Sequence, residues 1–122
     1  MILLDTNIVI GYLAGDQELI KAVDQAVITH GDIALSTISV VELFSYPALE
    51  ETERRRITEF TDRALLLNLT GELAVQAAEI RRTTKLTVSD AVIGATAMRH
   101  DIFFISRDQD FKKVSGLKLL VP

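Results

Sequence analysis

The sequence predicts an α/β fold, a mostly parallel sheet with helices on both faces. Three observations carry that prediction. Short apolar runs recur at Ile2-Leu3-Leu4, Ile33-Ala34-Leu35, Leu65-Leu66-Leu67 and Phe103-Phe104-Ile105, too apolar for strands with one wet face. Stretches of helical periodicity separate them, so the connections are crossovers, not hairpins, and crossovers of this kind are right-handed. A chain of 122 residues, 48% hydrophobic and 25% charged, can bury one core unaided, and it holds no repeat or linker. A single domain over residues 1–122 is expected.

Each element has its own signals. Asp5, Thr6 and Asn7 favour a strand end and a helix start, and Thr6 to Ala14 reads as a short helix closed by Gly15, with Ile8, Val9, Tyr12 and Leu13 inward. Asp16 is a good N-cap for Gln17 to Thr29, where Ile20, Val23 and Val27 share a face. Gly31-Asp32 breaks that helix before the second strand. Ser36, Thr37 and Ser39 lead into a short helix carrying Val40 to Phe44, which Pro47 ends. Leu49 to Ala64 reads as a surface helix with Ile57, Phe60 and Ala64 buried. Its pairs Glu50–Arg54, Glu51–Arg55 and Glu59–Arg63 are spaced for ion pairing. After the third strand, Thr70 caps a helix with Leu73, Ala77 and Ile80 inward and Arg81, Arg82 and Lys85 at its end. Val88 to Arg99 is apolar nearly all round, the pattern of a buried helix. The fourth strand is followed by a loop with one helical turn at Ser106 to Lys113. Leu117 to Val121 makes an edge-like fifth strand.

Composition narrows the function. No cysteine is present, which excludes thiolate zinc sites, disulfides and thiol catalysis and suits a reducing cytoplasm. No apolar run approaches the roughly 20 residues of a membrane span, and the apolar start lacks a basic leader, so no membrane or signal segment is expected. A net charge of −4 argues against simple coating of nucleic acid, yet is compatible with a cluster of metal-binding acids.

Four acids stand where such a cluster would form. Asp5 and Asp108 follow two strands of one parallel sheet, at the carboxyl edge where open α/β sheets bind ligands. Glu42 is placed in the first turn of the helix after the second strand, above that edge, and Asp90 in the first turn of the buried helix; Asp110 lies just beyond Asp108. Taken singly, each has a plainer reading: Asp5 as a helix cap, Ser39-x-x-Glu42 and Thr87-x-x-Asp90 as capping boxes, Asp108 and Asp110 as turn residues. Jointly, converging carboxylates without Lys or Arg raise each other's pKa, and a divalent cation resolves the conflict. An all-oxygen donor set selects Mg²⁺ or Mn²⁺, ions suited to phosphoryl transfer. Thr6 and Ser106 supply hydroxyls to support a carboxylate or a bound water.

The motifs Leu4-Asp5-Thr6-Asn7, Ser39-Val-Val-Glu42-Leu43, Leu86 to Ala97 around Asp90, and Ile105-Ser-Arg-Asp108-Gln-Asp110-Phe111 resemble those of PIN-domain ribonucleases. Length and layout are similar to VapC, the toxin of VapBC toxin–antitoxin pairs. The resemblance runs from residue 2 to about 120 in order and spacing. It implies a five-stranded parallel sheet, a three-layer PIN-like fold, and an endoribonuclease dependent on Mg²⁺ or Mn²⁺. It further implies an RNA substrate, a homodimer and inhibition by a VapB-like antitoxin. Asp5, Glu42 and Asp90 match the family's acids; Asp108 is the choice for the fourth, with Asp110 in reserve. The stretch from Arg82 to Asp90 is compact against the family pattern.

Smaller signals are assigned more plainly. Arg54-Arg55-Arg56 is read as a solvated helix face before an RNA contact. Arg107 is the candidate for a substrate phosphate, or a neutralising partner of Asp108. His30 and His100 suit helix ends. Phe44, Phe60, Phe103 and Phe104 suit the core, as do Tyr12 and Tyr46, with base stacking the alternative for the two tyrosines. Two other classes compete: a catalytically dead PIN-like module for binding or dimerisation, and another phosphate-handling α/β domain. The second lacks its expected acids, since Asn7 stands two residues after Asp5 and Asn68 follows the third strand.

Overall fold

The strands form one sheet in the order β3-β2-β1-β4-β5, with every neighbouring pair parallel. The computed structural model describes residues Met1–Pro122. The strands are β1 (Ile2–Leu4), β2 (Ile33–Ser36), β3 (Leu65–Leu67), β4 (Phe103–Ile105) and β5 (Leu119–Leu120). Between them lie α1 (Thr6–Leu13), α2 (Gln17–His30), α3 (Thr37–Phe44), α4 (Glu51–Arg63), α5 (Gly71–Thr83) and α6 (Val88–Arg99), and a 3₁₀ turn covers Gln109–Lys113. The predicted five-stranded α/β fold with helices on both faces is the observed one, and its sheet is wholly parallel.

Strand alternation builds the two cores. Leu3, Ala34 and Phe104 face α5 and α6, where they pack with Leu73, Ala77 and Ile93. Ile2, Leu4, Leu35 and Ile105 face the other way, onto Ile8, Val9, Leu19, Val23 and Ile57. The central strands therefore bury both faces, which explains why they read as continuous apolar runs. In α6 every residue from Ala91 to Ala97 is buried, as its uniform apolarity predicts. Phe111 of the 3₁₀ turn closes that layer edge-on to Phe104, with ring centroids 4.8 Å apart.

The order places β1 between β2 and β4, so the chain turns to opposite sides of β1 for its next and its fourth strand. That is the topological switch point of an open α/β sheet, and its carboxyl edge is where such folds bind ligands.

Capping chemistry was legible at Asp16, Thr70 and Thr87, each of which accepts hydrogen bonds from the first turn of its helix. At α3 it was not. Ser36 is the cap, accepting from the Ile38 N–H at 3.2 Å. Ser39 is buried inside the helix, and Glu42, expected in the first turn, lies in the second, so the Ser39–Glu42 capping box, the plainer reading of Glu42, does not form. In α2 the buried stripe is Leu19, Val23 and Ala26, one position off the predicted face. Helix α4 starts at Glu51 and buries Ile57 and Thr61, with Phe60 and Ala64 only partly covered. None of its predicted Glu–Arg pairs closes; Arg54 instead lies 5.7 Å from the centre of the Phe44 ring. Strand β5 is shorter than predicted. Tyr46, expected in the core, is 56% exposed, because α3 has already ended at Phe44.

Candidate active site

Asp5 leaves β1 in extended conformation and caps α1, its Oδ1 accepting from the Thr6 N–H at 2.9 Å. Its Oδ2 accepts from the Ser106 hydroxyl at 2.7 Å. Strand pairing brings these residues together: Leu4 registers with Ile105, and the Asp5 N–H continues the ladder to the Ile105 carbonyl at 3.0 Å. Asp5 is 5% exposed. Burial, with the carboxylates of Asp90 and Asp108 adding to it, raises its pKa to about 6, while the hydrogen bonds from Ser106 and Thr6 oppose the rise.

Glu42 reaches the same edge from α3. Its Oε1 accepts from the Thr6 hydroxyl at 2.8 Å, so Thr6 touches Asp5 through its backbone and Glu42 through its side chain. Asp90 is half-buried in the first turn of α6. Its pKa is raised by burial and by the carboxylates of Asp108, Glu42 and Asp110, against a hydrogen bond from Thr87. Asp108, also half-buried, caps the 3₁₀ turn by accepting from the Asp110 N–H at 2.9 Å, and its own N–H donates to Ser106 Oγ at 3.0 Å. Asp108 acts electrostatically on both Asp5 and Asp90; Asp110 acts on Asp90, is exposed, and stands 4.0 Å from the Lys113 ammonium.

No lysine, arginine or histidine pairs with Asp5, Glu42, Asp90 or Asp108. Arg107 is turned away from Asp108. Its guanidinium meets Asp16 at 3.1 Å and Glu18 at 3.5 Å, in the first turn of α2. Beside Glu42, a shallow depression of about 390 Å³ runs along Thr6, Asn7, Ile10, Tyr46 and Pro47.

The donor chemistry fits a hard divalent cation: carboxylate oxygens supported by hydroxyls, with no sulfur or imidazole among them. No three of these side chains stand in ready-made coordinating geometry. The carboxylates act on one another electrostatically across one sheet edge. Sequence reasoning missed Ser39, whose buried hydroxyl lies 3.0 Å from Thr6 Oγ1; the cue was its spacing of three from Glu42 on a helix.

An open parallel α/β sheet of this kind binds its ligands at the switch point, and here acids gather at that edge. The chain belongs to the PIN-domain family, whose model matches residues 2–117. Comparison with the curated proteins gives no match. Among solved structures, a toxin–antitoxin complex from Klebsiella pneumoniae aligns with a TM-score of 0.80 and 26% identity, covering 98% of this chain and 96% of that one. VapBC2 from Rickettsia felis, bound to a DNA fragment from their promoter, aligns at 0.83 with 19% identity, covering 99% and 98%. VapBC-1 from nontypeable Haemophilus influenzae aligns at 0.82 with 21% identity, covering 99% and 98%.

Proposed function

We propose that this chain is a Mg²⁺- or Mn²⁺-dependent endoribonuclease and the toxin of a type II toxin–antitoxin pair, acting in the cytoplasm. The observation that carries the proposal is the gathering of carboxylates around Asp5 without a cationic partner, which leaves a buried acid at a pKa of about 6. Asp5, Glu42, Asp90 and Asp108 are the proposed ligands, with Asp110 in reserve. A divalent ion held by these residues would supply positive charge to the scissile phosphate and would lower the pKa of an attacking water. The chain's own residues do the rest. Ser106 and the Thr6 N–H fix both oxygens of Asp5, and the Thr6 hydroxyl aims Glu42. Arg107, held by Asp16 and Glu18 in this structure, is the proposed side chain for a substrate phosphate.

The alignment with toxin–antitoxin complexes supports a VapB-like antitoxin as partner, and a homodimeric toxin belongs to the same proposal. No helix is long and apolar enough to cross a membrane. The purified chain should cut RNA with Mg²⁺ or Mn²⁺, lose that activity in EDTA, and lose it on Asp5→Asn. Equal cleavage by the variant and the parent would remove Asp5 from the chemistry.

A further inference from the structure

Ser39 is fully buried in the first turn of α3, yet its hydroxyl does not return to the helix backbone. The buried Thr96 shows that alternative, its hydroxyl donating to the Val92 carbonyl one turn back at 2.7 Å. Ser39 Oγ instead meets Thr6 Oγ1 at 3.0 Å, and Thr6 Oγ1 meets Glu42 Oε1 at 2.8 Å. A threonine hydroxyl has one proton, and here it is given to the Glu42 carboxylate oxygen. Ser39 therefore donates to the oxygen of Thr6. The order is Ser39 to Thr6 to Glu42, with every donor spent. Ser39 and Glu42 lie three apart on α3 and so face α1 together.

We infer that Ser39 is a positioning residue: through Thr6, it holds the carboxylate of Glu42 at the sheet edge, where Glu42 acts on Asp90. The inference rests on the metal-dependent reading of the site and adds a residue to it. Removing the Ser39 hydroxyl frees the Thr6 hydroxyl to turn, and Glu42 loses its fixed donor while the Thr6 N–H still holds Asp5.

The test is Mn²⁺ affinity of the purified chain, read by the electron paramagnetic resonance of free Mn²⁺, for the parent, Ser39→Ala, Thr6→Val and the double variant. Loss of a group that orients a ligand typically weakens metal binding by about 10-fold or more, and that is expected for each single variant. The double variant should bind no more weakly than Thr6→Val, because Ser39 acts only through Thr6. Parent-like binding by Ser39→Ala, or losses that multiply in the double variant, would overturn the inference while leaving the metal site standing. A parent that binds no Mn²⁺ overturns both. Should Ser39→Ala not fold, Ser39→Cys keeps a similar volume with only a weak S–H donor. Weakened Mn²⁺ binding by that variant supports the inference, and parent-like binding overturns it.

Discussion

The Ser106 hydroxyl donates to Asp5 Oδ2 at 2.7 Å and accepts from the Asp108 N–H at 3.0 Å, joining the ends of two neighbouring strands to the loop beyond them. This bond opposes the rise in the Asp5 pKa. Ser106→Ala should raise that pKa further above its ordinary value, visible in the carboxyl carbon shift of Asp5 during an NMR titration. Losing a hydrogen bond to a buried charged group should also lower stability by about 1.5–3 kcal/mol in urea unfolding.

Asp5 and Asp90 make stability depend on pH when no metal is bound. Both carboxyls hold their proton more tightly folded than unfolded, so stability is highest below the unfolded pKa and falls as pH rises toward the folded one. For Asp5 the window runs from 3.8 to about 6, a change on the order of 3 kcal/mol by pH 7. Urea midpoints in EDTA, corrected against Asp5→Asn, should show this loss, and the variant should flatten the profile. Mg²⁺ should stabilise the parent more at neutral pH than at about pH 5.

Two glycines predict opposite responses to alanine. A Cβ at Gly11 would fall 2.3 Å from Leu19 Cδ1, the tip of a buried side chain that must repack, and overpacking of about 1–3 kcal/mol there outweighs the helix-propensity gain of about 0.5–1 kcal/mol. At Gly94, inside α6, a Cβ would sit 3.5 Å from Phe111 Cε1, an ordinary contact. Gly94→Ala should therefore stabilise by about 0.5–1 kcal/mol through helix propensity. Thermal unfolding of the two variants checks both signs.

Arg107 and Asp16 share an ion pair but not a role. Asp16 also caps α2 through the N–H groups of Glu18 and Leu19, so Asp16→Ala should cost about 1 kcal/mol. The pair itself is substantially exposed, and Arg107→Ala should change stability by no more than about 0.5–1 kcal/mol. If Arg107 binds substrate phosphate, its removal should raise KM for RNA far more than it shifts the unfolding midpoint.

What the sequence made legible was governed by local rules. Wholly apolar triplets announced the central strands, and Asp16, Thr70 and Thr87 announced helix starts because capping is a contact among near neighbours. The run Ser36-Thr37-Ile38-Ser39 offered three capping side chains, and only the register of β2 on β3 selects Ser36. Leu65 and Leu66 are about half exposed because β3 is a sheet edge, a position that no triplet encodes. At the site, Asp5, Thr6 and Ser106 could be chosen by their places at strand ends. The pairing of Arg107 with Asp16 and Glu18 could not, because it spans 91 and 89 residues and depends on how α2 is set against β4.

The place of β1 at the middle of the sheet also bears on how the molecule assembles. Pairing with β2 closes a shorter loop, whereas pairing with β4 must bring together Asp5 and Ser106, 101 positions apart, with the larger entropic cost of a long closure. A partly folded chain that has formed only β1, β2 and α3 carries Asp5 and Glu42 but lacks Asp90 and Asp108. The four acids therefore share one sheet edge only once β1 is paired with β2 on one side and β4 on the other.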